Sequence, residues 1–245
     1  MKRHAMKRQA GVTLIEVLIS ITLLSLLTTA MLFAMRVGFM AFSKTDTKLM
    51  DNRRVVGAQR VVEQELEGLM PVIAPCGGPG IKAAFFQGET QTMRLVSTFS
   101  LQQAWRGQPQ ILELFVIPGE EGLGVRLVVN EIPYTGPVEA GQLCPGMTQD
   151  PETGLSVPRF APVTAGPNSF VLADKLAYCR FVYLTPAATP FRPEIWTAHW
   201  VKAGWPLAVR IEMAPLEPDP SRLQPITVVA PIFIRRAVDG VYADN

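Results

Sequence analysis

Histidine is almost missing from this chain. Only His4 and His199 occur in 245 residues, so imidazole-based metal ligation or a His-centred triad has little to be built from. His199 stands between Ala198 and Trp200, and without a partner acid or nucleophile it reads as a packed or surface side chain. No Gly-x-Ser-x-Gly, no His-Glu-x-x-His and no paired-cysteine zinc spacing is present, which removes the common hydrolase and metalloprotease frameworks. A large excess of one charge sign is also lacking: 23 Lys and Arg stand against 21 Asp and Glu, which argues against nucleic-acid binding through bulk charge. The adjacent carboxylates Glu120 and Glu121, and Glu217 with Asp219, sit among Pro and Gly and read as solvated turns. "IPGEEGLGV" has glycines and acids but no following Lys-Ser/Thr, so turn chemistry is the better reading than a phosphate or calcium loop. No cofactor, metal site or enzymatic activity is expected.

Cysteine is scarce as well. Cys76, Cys144 and Cys179 are the three, enough for one bridge and one spare thiol in an oxidising compartment. Cys76 in "APCGGPG" and Cys144 in "QLCPG" lie in turn-like surroundings, whereas Cys179 in "LAYCRFVYL" alternates like a strand residue. Cys76 with Cys144 is the favoured pair; the connectivity stays open at this level.

What the sequence does have is a long apolar run behind a basic cluster. Lys2, Arg3, Lys7 and Arg8 all precede Gly11, and without them 19 basic side chains would face 21 acidic ones. From Val17 to Met35 there are 19 uncharged residues, which as a helix at about 1.5 Å each roughly cover a bilayer's hydrocarbon core. The basic flank places the amino terminus in the cytoplasm and everything after about Arg36 on the far side. An ordinary secretory signal would need a small-residue cleavage site after the run, and "LLTTAM" is a poor one. A plain anchor leaves Glu16 unexplained, because a carboxylate in a spanning helix costs on the order of 2.5 to 3.5 kcal/mol.

The run Lys7-Arg8-Gln9-Ala10-Gly11, then Val12-Thr13-Leu14-Ile15-Glu16, then an apolar helix, resembles the class III leader of type IV pilins and pseudopilins. The resemblance implies that prepilin peptidase cuts on the cytoplasmic side after Gly11 and methylates the new amino terminus at Val12, where the family most often has phenylalanine. It also implies that Glu16, the fifth mature residue, meets the freed amine of a neighbouring subunit and sets the register of assembly.

Beyond Arg36 the helical pattern continues to Met70, ahead of Pro71, with Val55, Ala58, Val62, Leu66 and Leu69 on one stripe. "SKTDTKLMDNRR" before it is polar on most sides, so the helix is expected to dock on a domain in its last four turns. Strands are expected near Lys82 to Phe86, Met93 to Thr98, Ile111 to Ile117, Val125 to Val129, Leu176 to Leu184, Leu207 to Met213 and Ile226 to Ile234. Residues 132 to 168, with seven prolines, and "TPAATPFRPE" read as long surface loops. "KLAYCRFVYL", then Trp196 and Trp200, then "WPLAVRIEM" from Trp205 to Met213, resembles the component J minor pseudopilins of type II secretion systems. Trp196, Trp200 and Trp205 are candidates either for the core or for a subunit interface.

The expected fold is α+β and pilin-like: a leader over 1–11, a transmembrane helix over 12–36, its amphipathic half over 37–70, packed on a periplasmic, antiparallel β-rich domain over 71–245. The resemblance implies a minor pseudopilin in an inner-membrane tip complex that initiates the pseudopilus for protein export. Its partners would be prepilin peptidase, other minor pseudopilins and the major pseudopilin, with no nucleic acid. The alternatives are a minor pilin of a type IV pilus or competence system, and a membrane-tethered periplasmic enzyme.

Overall fold

The computed structural model describes residues 13–78, 80–100, 105–167, 169–186, 194–216 and 226–233, with backbone only at 42–56, 58, 59, 105, 106 and 226. The leader, Gly11 and Val12, most of "TPAATPFRPE", and Glu217 with Asp219 lie outside the described residues. The chain divides into two compact units at Asn52/Arg53.

In the first unit, helix α1 (Leu14–Glu67) begins directly after Thr13, whose carbonyl accepts from the Glu16 and Val17 amides at 3.0 and 3.3 Å. Leu14–Ala41, 28 residues, is long and apolar enough to cross a membrane. Its hydroxyls are silenced locally: Ser20 donates to the Glu16 carbonyl at 2.8 Å, Thr22 to Ile19 at 2.8 Å and Thr29 to Ser25 at 2.7 Å. A hydroxyl bonded to its own helix carries no unmet donor into lipid.

The second unit receives the last turns of α1. Val62 and Leu66 are fully buried there. The helix stops at Glu67, three residues short of the expected Met70, because Gly68 is drawn against a strand: the Thr98 amide donates to the Gly68 carbonyl at 2.8 Å, and the Met70 amide to the Val96 carbonyl at 2.8 Å. A Cβ at Gly68 would lie 2.7 Å from the Ser97 hydroxyl, so this approach needs glycine.

The strands are β1 (Ile73–Pro75), β2 (Lys82–Ala84), β3 (Gln87–Gly88), β4 (Thr92–Ser100), β5 (Trp105–Pro118), β6 (Val125–Pro133), β7 (Gly146–Gln149), β8 (Ser156–Arg159), β9 (Phe170–Thr185), β10 (Ile195–Thr197), β11 (Ala208–Pro215) and β12 (Ile226–Pro231). The main antiparallel sheet runs β12-β11-β9-β6-β5-β4-β3, with β10 paired to β9. The arrangement is thus α+β, a long apolar helix followed by an antiparallel β domain. Strand β9 serves both halves of the sheet: its first part pairs with β6 and its second with β11, and the register shifts around Lys175, which has a φ of 54°. That is a bulge, and it lets one long strand change partners. "IPGEEGLGV" closes the β5–β6 hairpin through a short 3-10 turn at Glu120–Gly122.

Both faces of the β4–β5 pair are buried. Leu95, Leu112 and Leu114 pack with Val62 and Leu66 in one cluster, while the alternate residues Val96 and Ile111 pack with Val72, Phe85 and Ala140 in another. Alternation along a strand sends neighbours to opposite faces, so two covers are required. The second cover corrects one expectation: residues 132–168 are not a bare surface loop. They contain helix α2 (Pro137–Gly141) and the β7–β8 hairpin, and they bury Ala140 and Cys144. Prolines made this segment look irregular, and its few apolar residues are spent on one face of the sheet.

Candidate assembly site

Glu16 sits in the first turn of α1 on an exposed surface, beside Val17, Ser20, Ile21 and Leu24. Thr13 and Glu16 have the spacing of a capping box, and a carboxylate there also complements the helix dipole by about 0.3 to 1 kcal/mol. That gain is smaller than the roughly 2.5 to 3.5 kcal/mol of placing the carboxylate in a spanning helix. Among the described residues, no cation pairs with Glu16.

The three tryptophans separate. Trp200 is 9% exposed and packs edge-on against Phe86 at 6.4 Å, its indole donating to the Gly204 carbonyl at 3.1 Å. Its amide donates to the Gly88 carbonyl at 2.8 Å, and a Cβ at Gly88 would meet the Trp200 Cβ at 2.7 Å. Trp200 therefore belongs to the core cluster, with its remaining exposed edge on the cleft beside β3. Trp205 is half-buried against the main core, with no hydrogen-bond partner for its indole nitrogen among the described residues. Trp196 is half-exposed on β10, with the Arg210 guanidinium 4.4 Å from its ring centre. Arg210 in turn lies 2.8 Å from Glu212, which pairs with Arg180 at 2.5 Å. Of the three, Trp196 has the surface setting that an interface anchor needs.

Cys76 and Cys144 form a disulfide, and Cys179 is a buried free thiol. Burial pushes the Cys179 thiol up to about 12, which keeps it out of the reactive thiolate form. His199 is exposed. Among the described residues, no group of three or more His, Cys, Asp or Glu side chains could hold a metal ion.

Two polar features went unread in the sequence. Arg94 and Glu113 face each other directly across β4 and β5, both buried, with Arg94 nitrogens 2.9 and 2.6 Å from one Glu113 oxygen. The other is Glu65, 1% exposed, neither of whose oxygens has an aligned hydrogen-bond partner among the described residues. Burial pushes the Glu65 carboxyl up to about 8; the nearby Ser97 hydroxyl opposes this and Glu131 adds to it. The signal was available, because Glu65 falls three residues after Val62 on the apolar stripe.

A carboxyl with a higher pKa folded than unfolded contributes its full stability below the unfolded value and loses it as pH rises toward the folded one. For Glu65 the window runs from 4.5 to about 8. At about 1.4 kcal/mol per pH unit, the loss by neutral pH is roughly 3 kcal/mol. Thermal melting of the wild type should fall from pH 5 to pH 8, and Glu65→Gln should remove most of that slope. A flat wild-type profile would contradict the assignment.

Comparison with curated proteins finds no match. Residues 6–32 match the family model described as the prokaryotic N-terminal methylation motif, and this prepilin-type leader supports a type IV pilin-like, membrane-anchored protein.

Proposed function

We propose that this chain is a minor pseudopilin similar to component J of type II secretion systems, a structural subunit and not an enzyme. The observation that carries the reading is the methylation motif at 6–32 running into an apolar helix whose first turn holds the carboxylate of Glu16. In this reading prepilin peptidase cuts between Gly11 and Val12 and methylates Val12. The helix stays in the bacterial inner membrane with its amino end cytoplasmic, and the β domain lies in the periplasm.

The energetics explain the carboxylate. The dipole recovers only part of the cost of an ionised carboxylate in lipid, and a paired cation would stabilise its charged form further. The freed α-amine of a neighbouring subunit's Val12 is such a cation, and pairing the two fixes the axial register between subunits. The subunit then joins other minor pseudopilins at the tip of a filament built of the major pseudopilin.

Mass spectrometry of the mature protein from its native membrane should find N-methylated Val12 at the amino terminus. In the same cells, Glu16→Ala should be processed normally yet fail to co-purify with filament components. A mature chain starting at Met1 or near Met31 would overturn the leader assignment, and normal incorporation of Glu16→Ala would overturn the role given to the carboxylate.

A further inference from the structure

The β domain carries a cleft of about 440 Å³ walled by β2, β3, the β7–β8 hairpin and the loop from His199 to Gly204. Its volume falls in the range of ligand-binding pockets. Ala84, Met147 and Trp200 contribute apolar surface to it.

Lys82, Arg159 and Lys202 line the cleft with the carboxylates of Glu89 and Asp150, which keep their charge, so the excess is one positive charge, and the two signs differ in how they are held. Two acids are present, and both are engaged: Glu89 accepts from the Gln87 side chain at 2.8 Å, and Asp150 accepts from the Thr153 hydroxyl at 2.6 Å and its amide at 2.8 Å. The Thr153 hydroxyl and amide hold the Asp150 carboxyl below the usual carboxylate range, with a smaller contribution from His199. Lys82, Arg159 and Lys202 also line the cleft and are exposed, and among the described residues none of them pairs with a carboxylate. These cations stand on three different elements, so a ligand that satisfies all of them presents more than one anionic group along its length.

The backbone adds an independent constraint. All four residues of β8 line the cleft, but only two of β7 do. Among the described residues, β8 pairs with β7 alone and β2 with β1 alone. The far edge of β8 is therefore open to an extended chain, whereas on β2 the Ala84 carbonyl already accepts from the Phe86 amide at 2.9 Å and Ala83 and Ala84 are buried. Pro158 has no N–H to give, so a strand added at β8 would find mainly acceptors there, and its affinity must come largely from side chains.

We propose that this cleft docks an extended, acidic peptide segment of a partner protein, with an apolar side chain on the Trp200 side and flanking carboxylates on Lys82, Arg159 and Lys202. The inference is independent of filament assembly, since it uses only residues of the β domain.

The test is fluorescence anisotropy on the full chain in detergent micelles, with fluorescein-labelled acetyl-Glu-Phe-Glu-Val-Glu amide as the probe. Its counterpart with Lys at each Glu, and inorganic phosphate, serve as competitors. The acidic peptide should bind saturably, lose affinity as salt rises, and outcompete the Lys peptide by about tenfold or more. Lys82→Glu with Lys202→Glu should weaken binding by about tenfold or more, and Lys82→Gln with Lys202→Gln by a smaller factor. Equal competition by the two peptides, unchanged affinity in both double variants, or phosphate matching the acidic peptide as a competitor would each overturn the proposal, the last by reducing the cleft to a small-anion site.

Discussion

Arg94→Met should lower the melting temperature of the β domain by about 10 °C, and adding Glu113→Leu to it should restore most of the loss. Arg94 is 1% exposed, and its guanidinium is committed on every side. Besides Glu113 it donates to the Gln87 side chain at 3.0 Å and to the Ala161 carbonyl at 2.9 Å, and it lies 5.3 Å from the centre of the Phe160 ring. Glu113 accepts in turn from Asn130 at 2.9 Å, and Asn130 also donates to the Thr164 carbonyl at 3.0 Å. Truncating one partner of a buried pair leaves the other charge stranded, at a cost of about 3 to 5 kcal/mol, whereas replacing both by apolar groups is often close to neutral. The single variant should also expose residues 132–168 to limited proteolysis, because Ala161 loses its donor. Melting of the full chain in detergent measures the first effect. Equal melting of the single and double variants would show that the stranded Glu113 charge is not the source of the loss.

The network also shows where sequence reading stopped. The helix face was legible because Val62 and Leu66 repeat at helical spacing, although Leu69, read onto the same stripe, lies past the helix end in a bridge to Ser97; the central strands were legible because apolar residues cluster between turns. Ends were less legible: β9 begins at Phe170, not near Leu176, since the residues before the Lys175 bulge pair with Leu127, Val128 and Val129 of β6, a partnership that no pattern local to either strand names. The Arg94–Glu113 pairing depends on the register of β4 against β5, which is set by how the intervening chain folds back and not by either residue's neighbours. Residues 132–168 were misread for a related reason. Their prolines are visible in the sequence, but what turns the segment into a cover is contact with Val96 and Ile111 on a distant strand pair. The tryptophans were only half legible. Three similar side chains in ten residues differ in role because Trp200 meets Gly88, where no Cβ competes for space, while Trp196 meets an arginine on the open face of the sheet.

Removing the Cys76–Cys144 bridge, by reduction or as Cys76→Ser with Cys144→Ser, should cost about 4 kcal/mol and lower the melting temperature by roughly 10 °C. The two cysteines are 68 residues apart, and a cross-link over a span of that size removes a large part of the unfolded chain's freedom. The native side loses something too. Cys76 and Cys144 are 1% and 3% exposed and pack with Ala83, Met147 and Phe160, so the bridge fastens the base of the β7–β8 hairpin beside β2. Those are the walls of the cleft, and reduction should therefore weaken acidic-peptide binding before the main sheet melts. Cys179 supplies the internal control: it is the free thiol, so in the denatured protein iodoacetamide should label Cys179 alone without reductant and Cys76 and Cys144 as well after reduction. If reduction left both melting and labelling unchanged, the bridge would have no part in holding the second cover. A bridge of this consequence requires an oxidising compartment, which is the side of the membrane where the proposed orientation puts the β domain.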